Sequence, residues 1–217
     1  MTDRRFTLLD ALTALVVAAL LASAAWIAVA GPTGPLPMHF DINGRPDRWG
    51  DRMELAGVTA FMAFMAAITA GPMGWFAARA PDVGRRRGLK VGQLISLVAI
   101  VGVTAFMLGT ILGHIDVAEP PPVMTWSMAL MGLIFAAVGA FLGRVAPNPL
   151  VGVRTPWSFK SRLAWDRSNR LAGRLFFWLG LLALIAAPLS PQPAGFIAVI
   201  AGVLIAAVWS VAESWRV

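Results

Sequence analysis

The sequence predicts an all-α, polytopic membrane protein with about six transmembrane helices. Mean hydropathy is +0.73, and only 13% of the 217 residues are charged whereas 58% are hydrophobic. Charged residues approach a quarter of a typical soluble domain, and a soluble core of this size cannot hide so much apolar surface. We therefore expect a multi-pass protein of the cell membrane. Cysteine is absent, which excludes disulfides and thiolate metal sites.

Six apolar runs account for the predicted spans. A helix needs about 20 residues to cross the hydrocarbon core, and the runs cover residues 11–30, 55–78, 91–113, 123–143, 171–187 and 194–211. The fifth run contains Arg174, which we expect to snorkel to the interface. Three prolines between residues 188 and 193 indicate two helices joined by a turn rather than one long helix. The first run is longer than the apolar core of a signal peptide, so we expect a retained span.

The distribution of Lys and Arg predicts the orientation of the chain. The two termini and the segments after spans two and four hold 15 of the 18 basic residues, whereas the opposite side holds only Arg45, Arg48 and Arg52. Basic residues concentrate in cytoplasmic loops. Both termini are therefore predicted to be cytoplasmic. This placement also explains the net charge of +7 without direct binding to nucleic acid.

The first outer loop, residues 31–54, is predicted to be ordered. Three prolines stiffen its start, and Asn43-Gly44 is a strong hairpin-turn signal because both residues tolerate positive φ. Four acidic and three basic residues leave a net charge of only −1, which favours a loop whose charges pair with one another. Trp49 is expected in the interfacial aromatic belt. Asp41-x-Asn43-Gly44 lacks the spacing of an EF-hand, so we expect no calcium site.

A cytoplasmic loop, residues 144–174, interrupts the apolar runs with the stretch NPLVGVRTPW. Asn148-Pro149 starts a turn and Gly152 permits tight backbone geometry, while Thr155-Pro156 gives an extended step. A helical face then carries Leu163, Arg167, Arg170 and Arg174. Two interpretations of this basic surface stay open: anchoring on anionic lipid and docking of a cytosolic partner.

Other functional classes find little support in the sequence. No apolar run has a charged residue near its centre, which argues against a proton-coupled transporter. His39 and His114 are the two histidines, and their spacing does not indicate a metal site. Whether they share a metal ion stays open. We expect no enzymatic activity and no cofactor, because no nucleophile–base arrangement is present.

Two small-xxx-small pairs, Gly109/Gly113 and Gly139/Gly143, are typical of closely packed membrane helices. We expect them to pack within the chain rather than to mediate dimerisation.

The two loops, together with six helices, resemble the SdpI-type bacterial immunity proteins. The outer loop is similar to a small domain of unknown function that often precedes the SdpI domain, through His39, Phe40, Asn43, Gly44, Pro46, Asp47 and Trp49. The cytoplasmic loop is similar to the family signature, through Asn148, Gly152, Arg154, Thr155, Pro156, Trp157, Trp165, Arg170 and Gly173. The chain departs from the family pattern at Asp41, where the family has Asn, and at Asn169, where it has His.

The resemblance implies an integral membrane protein that gives resistance to a secreted peptide toxin and recruits a cytosolic transcriptional repressor to the membrane. It also implies two modules: residues 1–80 with two helices and the outer loop, and residues 81–217 with four helices and the cytoplasmic loop. The implied partners are membrane lipids, an extracellular peptide toxin and the repressor. A small-molecule transporter or lipid-binding protein without an immunity role is the alternative.

Overall fold

The computed structural model describes residues 6–113 and 122–216. The elements in chain order are α1 (Leu8–Ala30), β1 (Leu36–Phe40), β2 (Pro46–Gly50), α2 (Arg52–Ala77), α3 (Val83–Ile111), α4 (Pro122–Leu142), α5 (Pro156–Lys160), α6 (Arg162–Ala186) and α7 (Ala194–Trp215). Six of these helices are long and apolar enough to cross a membrane. The predicted all-α, six-span fold and multi-pass membrane location are therefore confirmed, whereas the orientation of the termini stays a prediction.

Two of the spans begin earlier than hydropathy alone predicts. Helix α3 starts at Val83, where the Asp82 side chain accepts from the backbone N–H of Arg85. Helix α6 starts at Arg162, capped by Ser161. The charged first turns of both helices lack the hydropathy of a span, although their backbone is helical. Helical structure therefore extends beyond the apolar runs.

Helix α2 continues through Gly71, Pro72 and Gly74 to Ala77. The Pro-Gly pattern of this segment is typical of a fraying helix end, but the helix is continuous here. Pro72 lies inside the helix, and Gly74 approaches the side chains of Asp10 and Gln93. Contacts with α1 and α3 hold the segment in the bundle.

The long helices alternate in direction and pack as two groups of three. The most extensive packing joins α1 with α2, α2 with α3, α4 with α6, and α6 with α7, whereas α3 and α4 touch much less. We call the end that carries the β-hairpin the hairpin end, and the end that carries residues 143–161 the terminal end. The division into modules at residue 80 stays a prediction.

Helices α4 and α6 cross with their backbones in near contact. A Cβ atom at Gly132 would lie 2.7 Å from the carbonyl oxygen of Gly180, and one at Gly139 would lie 2.7 Å from that of Gly173. Gly143 lies beside Arg170. Gly139 and Gly143 therefore pack within the chain. Gly113 has φ 74° and open space around it, so it ends α3 rather than packing a helix pair.

Candidate functional site

The outer loop forms the antiparallel hairpin that its turn signal indicates. Leu36 pairs with Gly50, and Phe40 pairs with Pro46. Gly44 has φ 78°, which the turn requires. The Asp41 carboxylate accepts from the backbone N–H groups of Arg45 at 2.8 Å and Asn43 at 2.9 Å. These backbone donors, Arg45 first, hold the pKa of Asp41 below its usual range.

A His–Asp hydrogen bond, an Arg–Glu ion pair and a helix cap fasten the hairpin. His39 Nδ1 lies 2.6 Å from Asp47 Oδ1 across the strands, and Arg48 donates to Glu54 of α2 at 2.6 Å. The Asp51 side chain caps α2 by accepting hydrogen bonds from the backbone N–H groups of Met53 and Glu54. Trp49 is 56% exposed, so its ring is free to lie in a membrane interface.

Beneath the hairpin lies a cleft of about 390 Å³, which we call the hairpin-end cleft. The hairpin contributes Met38, His39, Phe40, Asp41 and Arg48. The rest of the wall comes from α2, α3 and α4, including Val58, Val103, Phe106, Met107, Ile111, Val123 and Met124. Most of these side chains are apolar. The cleft has an apolar wall and a polar rim, and it therefore suits an apolar ligand group.

The outer-loop residues predicted as a site divide between this cleft and the turn. His39 and Phe40 line the cleft. Asn43, Gly44 and Pro46 build the hairpin turn and the start of β2, and Asp47 orients His39.

At the terminal end, Asn148 organises the loop that follows α4. Its amide donates to the carbonyl oxygens of Ala146 and Val151, both at 3.0 Å. Its carbonyl oxygen accepts from the N–H groups of Leu150 at 2.9 Å and Val151 at 2.7 Å. All of its hydrogen-bonding positions are thereby used, and Asn148 is buried. Its role in this structure is to fold the turn.

Gly152 brings this turn against α6. It has φ 122°, and a Cβ atom there would lie 2.6 Å from Asn169 Oδ1 and 3.1 Å from the Trp165 ring. Asn169 accepts from the N–H of Val153 at 2.8 Å. Trp165, fully buried, donates its indole N–H to the carbonyl oxygen of Val145 at 2.7 Å. Close approach of backbone to α6 therefore requires glycine at position 152.

Thr155 and Pro156 start the short helix α5 and link it to α7. Thr155 and Ser158 form a reciprocal capping box, and Pro156 takes the first helical position, which tolerates proline. The Thr155 hydroxyl lies 2.8 Å from that of Ser214. Arg154 donates to the carbonyl oxygen of Pro149 at 2.5 Å. Trp157 is 43% exposed on the outer side of this arrangement.

The last two residues of the predicted motif lie on α6. Gly173 packs against the backbone of Gly139 and Gly143. Arg170 is exposed and lines a cleft with Arg144 and Arg174. The structure therefore buries Asn148, Thr155 and Trp165, places Gly152 against α6, and leaves Arg154, Trp157 and Arg170 at the surface.

Sequence reasoning missed Asn169 as an organising residue. It was noted only as a departure from a family pattern, yet it is buried and bonds both Val153 and the carbonyl oxygen of Trp165. The available signal in the sequence was the polar amide of Asn169, which lies within a helical segment that follows a glycine-containing turn. Its burial means that position 169 itself does not contact a cytosolic partner in this conformation.

A second missed feature is a polar network in the first three helices. The Asp10 carboxylate accepts from Lys90 at 2.7 Å and from Gln93 at 3.1 Å, and Gln93 also donates to Thr13 at 2.9 Å. Lys90 further donates to Thr7. Gly74 leaves the space for Asp10 and Gln93. The spacing within one helix gives no hint of this network, because its polar members come from α1 and α3 and the space for them comes from α2.

The structure gives no indication of a metal site within residues 6–113 and 122–216. No three His, Asp or Glu side chains in these ranges lie close enough together to hold a metal ion. His114, Asp116 and Glu119 lie outside these residues. A metal site shared by His39 and His114 is thus untested.

A comparison with known families supports the assignment of the second loop. Residues 144–213 match the model of the SdpI/YfhL protein family. The C-terminal third of the chain is SdpI-like. The match includes the buried turn, α5, α6 and most of α7, so it confirms the resemblance for this segment and does not address the outer loop. No curated protein and no solved structure matches the chain.

Proposed function

We propose that this SdpI/YfhL-type membrane protein gives resistance to a secreted antimicrobial peptide by binding it in the hairpin-end cleft. The observation that carries the proposal is that the hairpin and α4 wall the same cleft. Phe40 and His39 come from the hairpin, whereas Val123 and Met124 begin α4. A membrane-active peptide presents apolar side chains beside charged ones, and the cleft offers an apolar wall beside His39 and Arg48.

The distribution of basic residues between the two ends of the bundle agrees with this role. The hairpin end holds three basic residues and the other segments hold 15, which favours an extracellular hairpin. A peptide arriving from outside would reach the cleft at the level of the outer leaflet. Binding alone accounts for protection, so the proposed role needs no covalent chemistry.

We further propose that the terminal end recruits a cytosolic repressor when the peptide is bound. Helix α4 lines the cleft at its start, and Val145, just beyond its end, accepts the indole N–H of Trp165. A displacement of α4 would therefore reach the buried turn directly. Trp157, Phe159 and Leu163 are each more than 40% exposed there and form an apolar surface beside Lys160 and Arg162. Such a mixed surface suits a protein partner.

The cleft is tested by Val103→Trp, which fills it. Val101→Trp is the matched control, because Val101 lies on the same helix, is 42% exposed against 37% for Val103, and does not line the cleft. In a deletion strain, we expect the Val101 variant to restore tolerance to membrane-active peptides and the Val103 variant to fail, at equal protein abundance. Equal tolerance with both variants would contradict the proposal and favour the alternative of a transporter or lipid-binding protein.

Recruitment is tested by Arg154→Lys. Arg154 bonds the carbonyl oxygen of Pro149, and lysine retains the charge but lacks the planar guanidinium. We expect the variant to remain in the membrane and to lose peptide-dependent recruitment of the repressor, measured by membrane fractionation. Arg86→Lys is the control, because Arg86 also donates to a backbone carbonyl oxygen and is not part of this surface. Full recruitment by the Arg154 variant would reject this output surface and leave lipid anchoring as the role of the basic segment.

A further inference from the structure

Four arginines at the terminal end line two adjoining clefts. The first cleft, about 310 Å³, lies between α4 and α6 and is lined by Arg144, Arg170 and Arg174. The second, about 330 Å³, lies between α3 and α4 and is lined by Arg87 and again by Arg144. Arg144 therefore stands between the two. We call them the arginine clefts.

Within residues 6–113 and 122–216, these arginines have no acidic partner. The carboxylates there that lie beside a basic side chain contact His39, Arg48, Arg85, Lys90 and Arg162 instead. Arg174 donates to the backbone carbonyl oxygen of Arg170. All four side chains are exposed. Four unneutralised guanidinium groups in two concave sites call for an anionic ligand, and guanidinium binds phosphate oxygens in a bidentate manner.

The floor of the first cleft matches a lipid rather than a soluble anion. Gly143 and Gly173 bring the helices together there, and Phe177 and Trp178 follow Arg174 one turn deeper along α6. Trp178 is 59% exposed. A headgroup at the arginines would therefore place its acyl chains along aromatic side chains that face the membrane. Basic pockets between spans are known to bind anionic lipid headgroups.

We propose that the arginine clefts bind one phospholipid that carries two phosphates, a diphosphatidylglycerol. One phosphate occupies each cleft, and Arg144 contacts both. Two separate monophosphate lipids would have to crowd around this shared guanidinium, whereas a short glycerol bridge holds two phosphates side by side. The second cleft lies between α3 and α4, the helices that make the main contact between the two three-helix groups, so the bound lipid connects these groups. This proposal is independent of the peptide and of the repressor.

Native mass spectrometry and thermal unfolding of the purified full chain in neutral detergent test the proposal. The added probes are diphosphatidylglycerol, phosphatidylglycerol at twice the molar amount, phosphatidylcholine and inorganic phosphate. We expect one tightly bound diphosphatidylglycerol and a rise in Tm with this lipid alone. Equal binding of phosphatidylglycerol at the same phosphate concentration would overturn the two-phosphate assignment, and equal stabilisation by inorganic phosphate would overturn a lipid site.

Arg144→Gln is the decisive variant, with Arg167→Gln as its control, because Arg167 is exposed on α6 and lines neither cleft. Loss of one charge-assisted contact is expected to weaken diphosphatidylglycerol binding about tenfold, and the control should bind as the native chain does. If Arg144→Gln fails to fold, Arg87→Gln and Arg174→Gln each remove a guanidinium from one cleft. Native affinity in both of these variants would overturn the proposal.

Discussion

The carbonyl oxygen of the Asn169 side chain accepts a hydrogen bond at 2.8 Å from the backbone N–H of Val153, sixteen residues earlier. This contact places the turn against α6, and Gly152 lies directly over the same oxygen atom. One buried amide therefore holds the turn of the SdpI-like segment against α6. The residues at the surface of this segment depend on it for their positions.

Gly152→Ala is expected to destabilise the protein. The left-handed φ of 122° strains an L-residue, and the added methyl would overlap Asn169 Oδ1. We expect a loss of about 1–3 kcal/mol, in the range for local strain and overpacking. Thermal unfolding in detergent measures the change. Gly57→Ala is the control, since a Cβ atom there meets nothing within 4 Å, and its stability should stay equal or rise.

Gly180→Ala is expected to separate α4 from α6. The new Cβ atom would lie 2.5 Å from the carbonyl oxygen of Gly132 and 2.9 Å from the Cα atom of Ala136, both of which belong to the backbone of α4. Backbone atoms cannot rotate away as a side-chain end can. A lower Tm and lower abundance in the membrane are therefore expected. Gly102→Ala provides the comparison, because its Cβ atom would make an ordinary contact at 3.6 Å with Leu130. If both variants unfold at the same temperature, the close crossing is not required.

The orientation of the bundle is testable by thiol labelling, since the chain has no cysteine of its own. Thr33→Cys and Leu189→Cys at the hairpin end should react with an impermeant reagent in intact cells. Val83→Cys and Lys160→Cys at the terminal end should react only after permeabilisation. Leu189 and Val83 are 79% and 78% exposed, so burial does not explain a difference between them. Ser158 is unsuitable because it is 2% exposed. Labelling of Val83→Cys in intact cells would show that the orientation is the opposite of the predicted one.

The hairpin turn is expected to weaken in acid. Because its backbone donors lower the pKa of folded Asp41, this group contributes stability above its unfolded pKa, near 3.9. That contribution is lost as the pH falls through the folded pKa. NMR signals of the Asn43 and Arg45 amides should therefore shift at a pH below about 4. Asp41→Asn retains an accepting oxygen without a charge, and these shifts should disappear. An unchanged acid transition in this variant would show that another group causes it.

Several features were predictable because they depend on neighbouring residues in the chain. Runs of apolar residues predict spans, since each backbone polar group in the bilayer must bond within its own helix. Asn43-Gly44 predicts a hairpin turn because the conformational requirement is local, and the structure contains that turn. The same argument placed a tight turn at Asn148 and Gly152. Hydropathy located the spans but not the charged helical extensions at Val83 and Arg162.

Only the tertiary structure brought together residues from separate helices. Asp10 meets Lys90 and Gln93 across two helices, and Arg144 joins Arg87 to Arg170 through shared clefts. The hairpin-end cleft likewise requires four elements. Periodicity reports which residues share a face of one helix, but packing decides which faces meet and where they leave a gap. The sequence by itself therefore determined a six-span membrane protein with two ordered loops, and the packing of its helices decided which residues each loop contacts.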